Sequence, residues 1–430
     1  MEKAISKEGI IKSASKLASA SFLAQLISLA ALPIISRAYS KEAIGIAGIV
    51  MTLSTLLSFL ASGSYGQAIV ISRQYVARLL LPASLCYCFI CSLVVAFFML
   101  IFKEFIAPSL PISSGFSHVA TYWYWIPFLV FFLSAYMVLS GYANHQKKYG
   151  RLAFSVLCQS GATNGIKVGL GLYGASSATA LIASSTAGGL LGIFALSCFK
   201  PKQSSRLHLT PKRMRLALAY NKDFPLYSSP MMLVNSLAAT LLIVALPRWY
   251  GLAELGLITM ASQVSSRPLS LITEAFSRVY CRDFACRVTE RRPLLPAFWR
   301  FTRYFLLVIT PIAILLYLFM PWLVKFVLGG KWGELVPIIR AMIPFLCLGV
   351  MTSIFNFLPE IFRKQKKLLI AYLIILSYQF LLLILLASNV GFSDFYGLYY
   401  KLVLVVPILF ILWLYLFMMR YDKELKKEKS

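Results

Sequence analysis

The sequence predicts an all-α, polytopic membrane protein with twelve transmembrane helices in two six-helix lobes. Hydrophobic residues make up 59% of the 430 positions and charged residues only 13%, whereas soluble domains carry about 25% charged residues. The mean hydropathy of +0.77 agrees with this. The third observation is that loops rich in Lys and Arg alternate along the chain with loops that contain few of them.

A membrane-spanning helix needs about 20 mainly apolar residues. Twelve segments reach this length, and the eighth is the most polar because it contains Arg267, Pro268 and Glu274. The predicted spans are 14–36, 43–63, 79–102, 121–143, 152–173, 176–198, 225–247, 252–277, 300–324, 335–358, 368–388 and 395–418.

The basic residues predict the orientation. With the N-terminus in the cytoplasm, thirty-two of the 42 Lys and Arg residues fall on the cytoplasmic side, six on the opposite side and four at membrane depth. Such a bias follows the positive-inside rule and places both termini in the cytoplasm. It also explains the net charge of +27 without nucleic-acid binding.

A polar stretch divides the chain into two halves. We predict an N-terminal lobe at 1–199, a cytoplasmic linker at 200–224 and a C-terminal lobe at 225–430. A short pattern recurs in both halves, and the alternative to an internal repeat is chance similarity between apolar segments. The matching segments are Ala31-Leu-Pro33 with Glu42-Ala-Ile-Gly45, and Ala245-Leu-Pro247 with Glu254-Leu-Gly256. Six helices per half would make the repeats parallel.

Polar residues recur at helical spacing in several spans. Thr163, Asn164 and Lys167 share one face of the fifth span with Ser160. The eighth span carries a second stripe, Gln263, Arg267, Ser270 and Glu274. Further candidates for substrate binding are Gln25, Asn235, Arg340 and Lys401.

Two interpretations of these residues remain open. Hydroxyl and amide groups can simply hydrogen-bond between packed helices. Lys167 and Arg267 instead favour a water-filled cavity, because charge in hydrocarbon is costly. Arg340 and Lys401 lie near helix ends, where their side chains could equally extend to the membrane surface.

A cationic, hydroxyl-lined cavity suits an anionic, sugar-rich substrate such as a lipid-linked sugar pyrophosphate, although other organic anions fit too. The sequence has no phosphate-binding loop, no catalytic triad and no metal-ligand cluster, so we expect no enzyme activity and no bound cofactor. Gly174, Gly188, Gly189 and Gly192 predict close helix packing.

Several short motifs occur in a fixed order along the chain. They lie at 34–45 and 64–69 in the first half, at 250–256, Pro268 and 284–285 in the second half, and at Leu328-Gly-Gly-Lys-Trp332 before the tenth span. In these motifs, the last of which is similar to a Gly-x-x-Trp loop of the family, the chain resembles the O-antigen (Wzx-type) polysaccharide flippases of the multidrug/oligosaccharidyl-lipid/polysaccharide (MOP) exporter superfamily. The individual motifs are short, and their order and spacing carry the resemblance over nearly the whole chain.

This resemblance implies a V-shaped bundle that moves undecaprenyl-pyrophosphate-linked oligosaccharide across a bacterial inner membrane by alternating access. It also implies coupling to a proton or sodium gradient, for which Glu274 is the candidate. The polysaccharide polymerase machinery is a candidate partner. Alternatives are a cation-coupled multidrug exporter of the same superfamily and a membrane glycosyltransferase or polymerase.

Overall fold

Long α-helices form almost all of the chain that the computed structural model describes, namely residues 7–101, 121–197, 210–355, 358, 362 and 365–429. The first half contains α1 (Lys7–Ala38), α2 (Lys41–Ser62), α3 (Tyr65–Ile71), α4 (Gln74–Ile101), α5 (Trp125–His145), α6 (Tyr149–Leu172) and α7 (Ala178–Ser197). The second half contains α8 (Pro211–Tyr220), α9 (Ser229–Ala245), α10 (Leu252–Thr289), α11 (Leu295–Leu323), α12 (Leu335–Phe355), α13 (Gln365–Ala387), α14 (Phe392–Val403) and α15 (Val405–Lys429).

Ten helical segments in the described part of the chain are long and apolar enough to cross a membrane. They coincide with ten of the twelve predicted spans, which confirms an all-helical, multi-pass membrane protein. The fifth and eighth predicted spans correspond to α6 and α10. Both are helices of sufficient length, 24 and 38 residues, but neither meets the same apolarity criterion. The count of twelve therefore stays a prediction.

Local sequence signals account for several helix ends. The Ser40 side chain accepts a hydrogen bond of 3.1 Å from the Ala43 amide and so caps the start of α2. At its other end, Gly63 adopts φ = +53°, a left-handed conformation that glycine tolerates well. Ser64 follows with φ = +52°, and the chain turns directly into the seven-residue helix α3.

Two short helices were not among the sequence predictions. These are α3, with seven residues, and α8, with ten. Neither is long enough to span a bilayer, so a search for apolar segments of about 20 residues passes over both. Proline at the first position of α8 is a typical helix-start signal that the search did not use.

The chain divides into two compact units, Met1–Thr259 and Met260–Ser430. In the first unit, α6 packs between α1 and α7, α5 packs on α2 and α4, and α9 packs on α2. A cluster of four phenylalanine rings lies in the core of the second unit. The Phe355 ring centroid is 4.9 Å from that of Phe301, 5.1 Å from Phe298 and 5.3 Å from Phe284. The lobe boundaries predicted from the sequence stay a prediction.

Candidate functional site

The polar stripe of α6 forms a hydrogen-bonded network with α1. The Asn164 side-chain amide donates to the Ser28 hydroxyl at 2.9 Å and to the Ser160 carbonyl at 2.8 Å. The Ser160 hydroxyl donates to the Ala24 carbonyl at 2.7 Å and lies 3.2 Å from the Ser28 hydroxyl. Because Ser28 accepts from Asn164, its own proton is free to complete the chain toward Ser160. Asn164 is only 6% exposed, so this part of the stripe joins two helices.

A neighbouring side of α6 packs against the glycines of α7, and it includes Thr163, which the sequence grouped with Asn164 and Lys167. A β-carbon added to Gly188 would overlap the Thr163 hydroxyl, and one added to Gly192 would lie 3.2 Å from the Gln159 β-carbon. The Ser155 hydroxyl donates to the Gly192 carbonyl at 2.9 Å. The prediction of close packing is therefore confirmed at Gly188 and Gly192.

Gly174 and Gly189 behave differently from that prediction. Gly174 has φ = +82°, and a β-carbon there would meet nothing within 4 Å. It serves the turn after α6 rather than a helix contact, because its left-handed backbone favours glycine. A β-carbon at Gly189 would touch the Phe132 β-carbon only at 4.0 Å, an ordinary van der Waals distance.

Lys167 lies one turn beyond Asn164 on α6, and its side chain is half-buried. Its carbonyl accepts a hydrogen bond of 2.8 Å from the fully buried Tyr39 hydroxyl, near the end of α1. A β-carbon on Gly171 would approach the Tyr39 ring at 3.1 Å, so the two helices are close here. Lys167 thus lies on the same helix as Ser160 and Asn164, at the next point along α6 where this helix contacts α1.

The second predicted stripe lies on α10. Gln263 is half-buried, whereas the side chains of Arg267, Ser270 and Glu274 lie outside the described residues. The backbone at these positions is helical over Leu252–Thr289, which preserves the predicted spacing. Their roles in substrate binding and ion coupling stay predictions.

The remaining candidates occupy separate places. Gln25 is half-buried on α1, while Asn235 on α9 and Lys401 on α14 are exposed. Arg340 donates a hydrogen bond of 3.0 Å to the Tyr317 carbonyl, and its guanidinium lies 4.8 Å from the Tyr317 ring centroid. This contact joins α12 to α11 and gives Arg340 a packing role alongside its predicted one.

The Gly-x-x-Trp loop closes around a buried indole. Gly329 has φ = +95°, and a short 3-10 turn follows at Gly330–Trp332. Trp332 is fully buried, and the Lys331 ammonium lies 5.8 Å from its ring centroid. The loop therefore uses its tryptophan as an anchor in the core.

One contact involves residues that the sequence marked only as a repeat motif. A β-carbon on Gly45 would lie 2.5 Å from the Leu252 carbonyl oxygen, and one on Gly256 would overlap the Lys41 carbonyl oxygen. The same interval, 211 residues, separates Gly45 from Gly256 and Lys41 from Leu252. Residues Gly48 and Thr259, which also touch, share this interval.

This reciprocity has a geometric meaning. From one contact to the next, the residue numbers increase along both helices, so α2 and α10 run in the same direction here. Two repeats related by a two-fold axis make each contact twice, with the roles of the two repeats exchanged, and here that axis would run parallel to the two helices. The pattern supports the parallel internal repeat that the sequence suggested. The recurrence of the motif, with Gly45 matched to Gly256, was the signal that could have located this contact in advance.

A family model described as "Polysaccharide biosynthesis protein" matches residues 34–337. The chain belongs to this polysaccharide biosynthesis family. The match runs from the end of α1 into α12 and includes both polar stripes, Glu42-Ala-Ile-Gly45 of the first repeat motif and the whole of the second. No curated protein matches the sequence.

Solved structures establish the fold of this family member. An inward-facing multidrug resistance MATE family transporter of the MOP superfamily matches with a TM-score of 0.67 and 17% identity, covering 95% of this chain and 96% of that one. The lipid II flippase MurJ in an inward closed conformation matches with a TM-score of 0.70 and 14% identity, covering 95% and 90%.

A MOP superfamily transporter from Pyrococcus furiosus matches with a TM-score of 0.60 and 17% identity, covering 96% of both chains. That protein is described as having a binding pocket whose reverse polarity suggests a different function. Together these matches confirm the predicted MOP-superfamily fold.

Proposed function

We propose that the chain is a flippase that moves undecaprenyl-pyrophosphate-linked oligosaccharide, an O-antigen or capsule repeat unit, across the bacterial inner membrane by alternating access. Membership of a polysaccharide biosynthesis family supports a sugar-bearing cargo. The MOP fold, shared with a lipid II flippase, supports movement of a lipid-linked molecule between leaflets.

The observation that carries the proposal is the position of Lys167. It lies half-buried on α6, a helix within the membrane bundle that is itself too polar to count as an ordinary apolar span. An ammonium group at this depth is costly unless it faces water or an anion. A pyrophosphate supplies such an anion, and neighbouring hydroxyl and amide groups suit the sugar.

Orientation and coupling complete the proposal. The charge bias of the loops supports cytoplasmic termini and loading of substrate from the cytoplasmic leaflet. Glu274, on α10, is the proposed residue for coupling to a proton or sodium gradient, since an acidic residue within a span can exchange either cation. Polysaccharide polymerase machinery would receive the translocated unit.

Leaflet transfer in proteoliposomes tests this function. A fluorescent undecaprenyl-pyrophosphate oligosaccharide is reconstituted with the protein, and a membrane-impermeant reductant measures how much label reaches the outer leaflet. We expect Lys167→Gln to slow transfer by about tenfold or more, which corresponds to ~1.4 kcal/mol. Lys167→Arg should retain most activity, because it keeps the charge.

The matched control removes a cation of no proposed function. Lys325 is exposed in the π-helical turn Val324–Leu328, and Lys325→Gln should transfer label at the wild-type rate. Wild-type protein that gives no transfer above empty liposomes, or Lys167→Gln at full rate, would contradict the proposal.

A second candidate function is cation-coupled multidrug export, which the similarity to MATE transporters favours. Cationic drugs call for an acidic cavity, whereas Lys167 and Arg267 give the predicted stripes basic character. Drug accumulation in a sensitised strain separates the two candidates. A multidrug exporter would lower accumulation of cationic dyes and would leave lipid-linked sugar on its original leaflet. The similar solved structures are transporters and flippases, which makes a glycosyltransferase or polymerase the weakest of the three functions.

A further inference from the structure

Two neighbouring spans, α4 and the span that begins at Phe224, fix the depth of the short helix α8 in the membrane. Its Ala217 is buried in a cluster with Tyr65 and Leu80, and that cluster includes the first turns of α4. Only residues 221–223 separate α8 from the span that begins at Phe224. Because α8 is bounded by the ends of two spans, it lies at the level of a membrane surface.

The side chains of α8 divide into three sectors. The first faces the bundle through Ala217 and through Asn221, whose amide donates a hydrogen bond of 2.9 Å to the Ala217 carbonyl. The second is an apolar edge formed by Leu216 and Tyr220, four residues apart, which are 68% and 83% exposed. Two such large apolar groups are unfavourable in water, and they point to an apolar environment beside the bundle.

The third sector is a basic stripe. Lys212 and Arg215 lie at i and i+3 on α8, and Lys222 follows two residues after its end; all three side chains are exposed. Arg213 adds a further exposed cation in the first turn. The one acidic residue between 210 and 230 is Asp223, so this stretch carries a net charge of +3.

We infer that α8 is an interfacial helix that binds anionic phospholipid of the adjacent leaflet. Leu216 and Tyr220 insert at the boundary between headgroups and acyl chains. The basic stripe contacts the headgroup phosphates, and Ala217 holds the helix against α4. A helix with a packed face, an apolar edge and a basic stripe at membrane depth matches the physical requirements of surface binding. The inference stands independently of the transported substrate.

The positive charge of α8 indicates what covers its exposed apolar side chains. A protein partner could cover Leu216 and Tyr220, but a row of cations beside an apolar edge is complementary to a lipid leaflet that presents acyl chains next to negative headgroups. Ile71 at the end of α3 and Tyr75 in the first turn of α4, the helix on which α8 packs, are exposed apolar side chains as well.

Hydrogen–deuterium exchange of the full-length protein tests this inference. The protein is placed in nanodiscs of phosphatidylcholine alone or of phosphatidylcholine with phosphatidylglycerol. We expect amides of 212–222 to exchange about fivefold or more slowly in the anionic nanodiscs, because bound lipid stabilises the closed helix. High salt should remove this difference, since it screens exposed charges.

Two triple variants sharpen the test. Lys212→Gln/Arg215→Gln/Lys222→Gln should abolish the effect of phosphatidylglycerol on 212–222. Arg248→Gln/Lys325→Gln/Lys331→Gln removes the same charge from exposed positions elsewhere and should preserve it. Equal exchange of wild-type 212–222 in both nanodiscs, or equal loss of the effect in both triple variants, would overturn the inference. The comparison of wild-type protein in the two kinds of nanodisc decides the test even if a variant fails to fold.

Discussion

Gly45 and Gly256 meet backbone to backbone at the starts of α2 and α10, each with its missing side chain facing a carbonyl of the other helix. No larger residue fits at either position without moving a helix. The two glycines occupy equivalent positions of the internal repeat that the sequence suggests. A close backbone contact therefore coincides with the matched motifs of the two halves.

Replacing either glycine should destabilise the protein. In Gly256→Ala the new methyl group would overlap the Lys41 carbonyl oxygen, and in Gly45→Ala it would press on the Leu252 carbonyl. Backbone atoms cannot rotate away as a side chain can, so we expect a loss of about 1–3 kcal/mol in each variant. Thermal unfolding in detergent, followed by size-exclusion chromatography, measures the change.

The control for this experiment is Gly349 in α12. A β-carbon there would meet nothing within 4 Å, so Gly349→Ala should leave stability unchanged or raise it by up to about 1 kcal/mol through helix propensity. Equal stability of Gly256→Ala and Gly349→Ala would show that the contact is looser than described.

The network between α1 and α6 should show energetic coupling. Ser28→Ala and Asn164→Ala each break the 2.9 Å hydrogen bond between these residues, so the double variant should lose less stability than the sum of the single losses. We expect a coupling energy of about 0.5–1.5 kcal/mol, the range found for hydrogen bonds between membrane helices.

Thr240 offers a comparison for this cycle. Its hydroxyl donates to the Ser236 carbonyl of its own helix at 2.8 Å, and it should show no coupling with Ser28. A Ser28–Asn164 coupling indistinguishable from the Ser28–Thr240 value would argue against the network.

The Asp422 carboxylate should stabilise the start of α11. Its two oxygens accept hydrogen bonds of 2.8 and 3.0 Å from the Leu294 and Leu295 amides, and the side chain is buried. Asp422→Ala leaves both amides without this acceptor and removes a negative charge from a helix N-terminus, at a cost of about 1–2 kcal/mol.

Asp283 serves as the matched acidic residue. It forms an exposed ion pair with Arg287 at 2.9 Å, and Asp283→Ala should cost about 0.5 kcal/mol or less because exposed ion pairs contribute little. Thermal unfolding of the two variants side by side gives the comparison. Equal losses would mean that the Asp422 contacts add nothing beyond surface charge.

Reporter fusions test whether α6 crosses the membrane. If α6 crosses the membrane, reporters inserted after Lys147 and after Gly174 lie on opposite sides of it. We expect fluorescence from a green fluorescent protein fusion after Lys147 and phosphatase activity from an alkaline phosphatase fusion after Gly174. Fusions after Ser62 and Ile101, which flank apolar helices, calibrate both reporters. The same reporter response at Lys147 and Gly174 would reduce the count of spans.

The sequence predicts the apolar spans well because bilayer crossing imposes one simple requirement, namely length with low polarity. It predicts α6 and α10 less securely, since their polar stripes lower the very signal that identifies a span. Their assignment as spans depends on the charge of the loops on either side of them rather than on hydropathy.

The candidate site was harder to predict than the fold. Helical spacing grouped Ser160, Thr163, Asn164 and Lys167 on one face, whereas the structure brings Ser160 and Asn164 to α1 and Thr163 to Gly188 of α7. Spacing cannot reveal which neighbour a face meets, so the pairing of Asn164 with Ser28 required the packed structure. Gly174 and Gly188 illustrate the same limit, because a glycine that forms a turn and one that accommodates a threonine have the same sequence signature.

The reciprocal glycine contact also bears on how such a chain could have arisen. In a single-repeat ancestor that paired with a second copy of itself, one glycine codon would have supplied both of the contacts now made by Gly45 and Gly256. After duplication and fusion, the same interface depends on two codons that mutate independently. Selection would therefore have to act on both Gly45 and Gly256 to preserve a helix contact that a single glycine codon encoded before the duplication.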